Sequence, residues 1–248
     1  MVFLYLLLNQ IQPKQEFFLD KKPLTKRLDN LSGNIPKIIH QTAPKNSKLW
    51  PDTWKICQQT WKKHFPYPEY KYILWTDDDL NNFIKTHYQW FYPYFVGYKH
   101  NICRIDAARY FILYHYGGIY ADMDFYCFQN FYNQLDSNKI SIVESPYKYN
   151  ESLQNSLMAS PKKHDDWKIV FKYLIKNRKK IKVLDISGPR LLDEAFENRN
   201  INVLVDKLYN PDMKSVYWES HKLYTKHYLT NVWTQKGYGP NIRDKMFT

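Results

Sequence analysis

Asn101–Asp124 reads NICRIDAARYFILYHYGGIYADMD, and the rest of the architecture can be worked outward from it. Asn101 is expected to cap a helix, since its side chain can accept an orphan backbone N–H of the first turn. Ile102, Ile105, Ala108, Ile112 and Leu113 recur at three- and four-residue spacing, which predicts one amphipathic helix. Asp106 and Arg109, three apart, share a flank and lie within mutual reach. Gly117–Gly118 predicts the helix stop, because glycine accepts the positive φ that follows many helices. Ile119–Tyr120–Ala121 then reads as a short buried strand. In an extended chain residues two apart point the same way, so Asp122 and Asp124 are expected to face one side together. Their oxygens are hard ligands that suit Mg²⁺ or Mn²⁺, with water and phosphate completing the shell.

Each part taken alone has a plainer reading. A D-x-D pair at a strand end is often a solvated turn. An Asp–Arg pair on a helix is more often a surface ion pair, contributing under about 1 kcal/mol. The weight comes from finding all of them within 24 residues.

The block formed by Arg104, Asp106, Ala107, Ala108, Arg109, Tyr110, Ile112, Leu113, Tyr114, Gly117, Gly118, Ile119, Tyr120, Asp122 and Asp124 resembles the sugar-binding region of glycosyltransferase family 32. It is also similar, more distantly, to the glucosylating domain of clostridial toxins. Further marks agree. Ile35–Thr42 (IPKIIHQT) resembles the family's opening strand, and Glu69–Asp79 (EYKYILWTDDD) its second strand with the acidic turn after it. Ser187–Gly188–Pro189 resembles its T-G-P segment, and His227 stands six residues before Trp233 as in its C-terminal H-x-x-x-G-S-W. The marks run from about residue 35 to 233.

The resemblance implies an α/β fold of the GT-A nucleotide-sugar transferase type, with a mostly parallel central sheet flanked by helices and carrying helical insertions. It implies a retaining transfer of a hexose from GDP-mannose or a UDP-hexose to a glycan, lipid or protein acceptor. The metal, Mn²⁺ or Mg²⁺, falls to Asp124 and Asp122, with His227 as third contact. Asp106 and Arg109 are expected to hold the donor hexose, and these two with Asp122 and Asp124 form the implied catalytic set. Tyr120 is expected to line the sugar pocket. His40, Gln41 and Thr42 would grip base and ribose, and Gly188 would present backbone N–H groups to acceptor or sugar. Asn231 and Trp233 complete the implied substrate contacts. Two departures stand out: Ala43 replaces an aromatic residue that can stack on the base, which shifts that duty to a neighbour such as Trp75. Asn231 and Val232 replace the family's Gly and Ser.

Composition fits one α/β domain, and 248 residues suffice for a sizeable core. Residues 1–33 read as a polar, lysine-bearing N-terminal arm, and 34–248 as the transferase-like domain. Met1–Leu8 is an apolar run of eight, whereas a spanning helix needs about 20 residues. The expectation is therefore a cytoplasmic protein or one peripheral to a membrane, with a weak membrane contact at most. A Golgi-type lumen applies if an anchor precedes this chain. Cys57, Cys103 and Cys127 are widely spaced and predict neither a zinc site nor a disulfide framework. The net charge of +12 and the run Lys176–Lys182 (KNRKKIK) favour anionic partners. Of two rival classes, a metal-dependent phosphoryl-transfer enzyme acting on nucleic acid would need further carboxylates at the metal. Against the other, a relative that binds carbohydrate or nucleotide sugars without turnover, stands the intact D-x-D, while Ala43 and Val232 leave room for it.

Overall fold

The computed structural model describes residues 34–212 and 222–230. The N-terminal arm with Met1–Leu8, and the expected contacts Asn231 and Trp233, lie outside the described residues. Eight strands are present among them: β1 (Ile38–Thr42), β2 (Lys71–Trp75), β3 (Gly118–Ala121), β4 (Phe125–Cys127), β5 (Ser141–Glu144), β6 (Leu153–Ser160), β7 (Asn202–Leu204) and β8 (Thr225–His227). Six form one sheet in the order β2-β1-β3-β6-β5-β7, and β4 with β8 forms a separate ribbon. Within the large sheet β2/β1, β1/β3 and β5/β7 run parallel, while β6 runs antiparallel to both its neighbours. The expected fold class, a mostly parallel sheet flanked by helices, is what the chain adopts.

The helices are α1 (Asp52–His64), α2 (Asp77–His87), α3 (Tyr92–Val96), α4 (Asn101–Tyr116), α5 (Trp167–Asn177), α6 (Val183–Ile186), α7 (Pro189–Phe196) and α8 (Asp206–Tyr209). Residues Asp77–Asp79, expected as an acidic turn, form instead the first turn of α2. Thr76 and Asp79 bond each other there in a capping box, and the acidic charges complement the positive end of the helix dipole.

The helix expected from the 101–116 pattern is α4, with two corrections. Its N-cap is His100, and Asn101 instead donates its Nδ2 to Asp77 Oδ2 at 3.2 Å. Nor is it amphipathic in the expected sense. Every residue from Asp106 to Leu113 is buried, because α4 packs on β3 and β6 and is covered by α2, α3, α5 and α6. A helix enclosed on all sides buries its polar residues too, and those must then be paired.

Gly117 and Gly118 stop α4 at φ +66° and +98°. They also permit close contact: a Cβ on Gly117 would stand 2.7 Å from Pro36 Cδ, and one on Gly118 2.5 Å from Ile38 O. Glycine alone lets β3 leave the helix and pair at once with β1.

Parallel pairing brings the carboxyl ends of β1 and β3 to the same edge of the sheet. Because β6 is antiparallel, its amino-terminal residues arrive at that edge as well, and Asp122 N bonds Ser156 O at 2.8 Å. The crevice beyond these strand ends is where an open α/β sheet offers a ligand site.

Candidate active site

Asp106 and Arg109 form the first part of the site. Arg109 Nη2 lies 3.1 Å from Asp106 Oδ1, and Nη1 lies 3.2 Å from Asp122 Oδ1. Nη1 also donates to Asn155 O at 2.8 Å, and the guanidinium lies 4.7 Å over the Tyr120 ring. Asp106 further accepts from Asn155 Nδ2 at 3.0 Å and Ser187 Oγ at 3.2 Å. Burial raises the Asp106 carboxyl to about 6, against the opposing pull of Arg109. Burial by itself would lower Arg109, but Asp122 and then Asp106 reverse this and hold it fully charged.

Asp122–Met123–Asp124 is the second part. The segment is a tight turn, closed by Phe125 N donating to Asp122 O at 3.1 Å, and not the extended chain expected from the sequence. The two carboxylates converge all the same, because the turn feeds directly into the β4/β8 ribbon. There Phe125 pairs with His227, whose ring stacks on Phe125 at 4.5 Å. His227 Nε2 lies 3.1 Å from Asp124 Oδ1. Thr230 donates both its N–H and its hydroxyl to Asp124 Oδ2, each at 2.8 Å, and Trp54 Nε1 in turn donates to Thr230 Oγ1 at 3.0 Å. Leu229, at φ +50°, turns the chain so that Thr230 can do this; the left-handed region costs such a residue about 1–2 kcal/mol. Burial pushes Asp124 up, but His227 and the Thr230 hydrogen bonds outweigh it and bring the carboxyl down to about 2. Asp122 is raised, by burial first and with Asp124 adding, while Arg109 opposes.

Donor atoms of Asp122, Asp124 and His227 all lie within 4.8 Å of one another. Two hard carboxylates and one imidazole suit Mn²⁺ or Mg²⁺. His227 Nδ1 is buried without a hydrogen-bond partner, so this ring is not fully committed to the fold.

Several expected contacts are corrected. His40 is wholly buried and both ring nitrogens are engaged: Nδ1 accepts from Trp75 Nε1 at 3.2 Å, so Nε2 donates to Gly117 O at 2.9 Å. Burial lowers it to about 4, and it ties β1 to the end of α4, so its side chain is committed to the fold. Gln41 is equally buried and donates to Asp122 O at 3.2 Å, supporting the carboxylate turn from below. Thr42, half-buried, donates to Tyr120 OH at 2.9 Å, and Tyr120 passes its proton towards Asp122 Oδ1 at 2.7 Å. Tyr120 is therefore beneath Arg109 and has no exposed surface to line a pocket. Trp75 cannot stand in as a base-stacking ring, since it is enclosed by His40, Phe83 and Tyr116. Gly188 has its N–H bonded to Val183 O at 3.3 Å, and its missing Cβ makes room for Leu184 Cα. In the Ser-Gly-Pro segment it is Ser187 that reaches the site.

Asp106, Arg109, Asp122 and His227 open together onto a cleft of about 430 Å³, with Asn155, Tyr147 and Leu184 also in its lining. A neighbouring hollow of about 240 Å³ is lined by Asp77, Asn81, Asn101, Arg104 and Ile105, so consecutive residues of α4 face the two. Asn155, Ser187 and Thr230 are the polar residues that sequence reasoning missed.

A buried Asp–Arg–Asp chain thus lies beside two carboxylates and an imidazole that could hold a metal ion, at the carboxyl edge of an α/β sheet. Residues 51–144 match the family model described as "Glycosyltransferase sugar-binding region containing DXD motif". The chain is 42% identical over 154 residues to inositol phosphoceramide mannosyltransferase 2 of Schizosaccharomyces pombe, a match covering 61% of this chain and 42% of that protein. It is 53% identical over 93 residues to mannosyl phosphorylinositol ceramide synthase SUR1 of Saccharomyces cerevisiae, covering 38% of this chain and 23% of that one. An uncharacterized glycosyltransferase, L373, of Acanthamoeba polyphaga mimivirus is 30% identical over 148 residues, covering 58% and 55%. Among solved structures, PaToxG glycosyltransferase superposes with a TM-score of 0.49 at 19% identity, covering 65% of this chain and 68% of that one. By these matches residues 51–144 are similar to the sugar-binding region of DXD-type glycosyltransferases, and the chain spans less than half the length of the fungal relatives it matches.

Proposed function

We propose that this chain transfers a hexose, with retention, from a nucleoside-diphosphate sugar to a glycolipid. The relatives named as inositol phosphoceramide mannosyltransferases favour GDP-mannose as donor and a phosphoinositol-bearing lipid as acceptor. The observation that carries the reading is Arg109, buried between Asp106 and Asp122 yet open to the cleft.

A diol presented to this row meets fixed acceptors on two carboxylates and a donor between them, a pattern suited to sugar hydroxyls. Arg109 cannot swing away, because Asn155 O and the Tyr120 ring hold it, so the hexose is oriented without further ordering. The hollow along α4 would take base and ribose, in place of the contacts expected of His40 and Gln41. Asp122, Asp124 and His227 would hold Mn²⁺ or Mg²⁺, which when bound neutralises charge on the departing diphosphate. Thr230 and Trp54 keep Asp124 aimed and ionised for that purpose.

The reading is tested by thermal unfolding with GDP- and UDP-sugars, with and without Mn²⁺, in wild type and Asp124→Asn. A ligand at 100 times its Kd stabilises the folded state by about 2.7 kcal/mol. The expected result is a metal-dependent rise with GDP-mannose that the variant lacks. Folded protein that responds to no nucleotide sugar would overturn it.

A further inference from the structure

The turn between α5 and α6, Arg178–Lys179–Lys180–Ile181–Lys182, is exposed at every residue, and Ile181 at its tip is 93% exposed. Ile181 is the apolar member of a turn that otherwise carries four cations. Part of the charge is balanced: Lys180 bonds Glu194 at 3.0 Å, and the Arg178 guanidinium lies over Tyr94. Lys179 and Lys182, on either side of the pair Lys180–Ile181, have no acidic partner among the described residues.

The position of this turn matters more than its composition. Val183 and Leu184 follow at once and line the wall of the cleft, so Ile181 lies within about 7 Å of chain length from that wall. Tyr147 and Tyr149 line the same cleft, and Tyr149 is 83% exposed. The two rims are tied together, since Arg190 Nε donates to Asn150 O at 3.1 Å and its Nη1 lies 3.6 Å from Asp185. Cations, an apolar tip and a tyrosine thus border one cleft.

We propose that this rim is a docking surface for an anionic membrane: Ile181 enters the interface, Lys179 and Lys182 meet acidic headgroups, and Tyr149 lies at headgroup level, so that the cleft opens onto the bilayer. The chemistry is that of peripheral attachment, in which basic residues attract the surface and an apolar side chain adds burial. Tyrosine is favoured at that depth because its ring is apolar and its hydroxyl wet. Attachment needs no nucleotide sugar, so it can fail while the transfer reading stands, and the reverse.

The test is co-sedimentation of the full chain with vesicles of phosphatidylcholine alone and with phosphatidylserine added. Wild type is expected to bind only the anionic vesicles. At about 1 kcal/mol per basic residue near such a surface, K179E/K182E is expected to weaken binding by 25-fold or more. Ile181→Asp is expected to weaken it severalfold and to leave the melting temperature unchanged, since the side chain packs on nothing. Binding that survives all three substitutions would place any membrane contact elsewhere and overturn the proposal. Binding lost on charge reversal but indifferent to Ile181→Asp, with equal retention on heparin, would mark a general polyanion patch and overturn it too.

Discussion

Asp106 and Asp124 are both buried carboxylates with a basic side chain 3.1 Å away, yet burial prevails at the first and loses at the second. The difference lies in how the partners are shared. Arg109 serves Asp106 and Asp122 at once, and the Asp122 charge pushes back on Asp106. Asp124 has His227 on one oxygen and two Thr230 hydrogen bonds on the other. One side of the cleft therefore carries a carboxyl that burial raises to about 6, while the carboxylate on the other side is held ionised.

Breaking the Asp106 side should cost most. Arg109→Ala leaves Asp106 and Asp122 buried without their cation, and removing one partner of a buried pair costs about 3–5 kcal/mol. Urea denaturation should show that loss in full at neutral pH and less near pH 5, where a protonated Asp106 needs the arginine less. A variant as stable as wild type at both pH values would mean that the cluster is open to water. On the Asp124 side, Thr230→Val removes a hydroxyl that touches Asp124 but no expected ligand position. Outer hydrogen bonds of this kind typically carry about 10–100-fold in metal affinity. Titration with Mn²⁺ should find that loss, with the fold largely intact.

The smallest effect sharpens the comparison through pH. Asp106 is raised from 3.8 to about 6, so its contribution to stability is full below about 3.8 and is lost as pH rises through 6. Asp124 is lowered to about 2, so its contribution is full above 3.8 and is lost as pH falls towards 2. Donor affinity should accordingly show an acid limb near pH 6, and Asp106→Asn should remove that limb along with most of the affinity. A limb that persists in the variant would belong to another group.

What the sequence determined by itself is local. Residues 101–124 carry helix, glycine stop, strand and paired carboxylates in one continuous run, and Asp106 reaches Arg109 because helical residues three apart must meet. The Gly117–Gly118 pair had to be a break, since few side chains accept that backbone. The tertiary structure decided everything that crosses the sheet. Asn155 reaches Asp106 over 49 residues, Ser187 over 81, and Thr230 reaches Asp124 over 106. Those contacts depend on β6 running antiparallel and on the β4/β8 register, neither of which leaves a periodic trace in the chain. The same holds for His40 and Gln41. Their residue types suit a ligand, but packing of β1 against the end of α4 turned them into internal supports. A polar residue's type shows what it can bond, and only the buried surroundings decide whether that bond goes to substrate or to the protein itself.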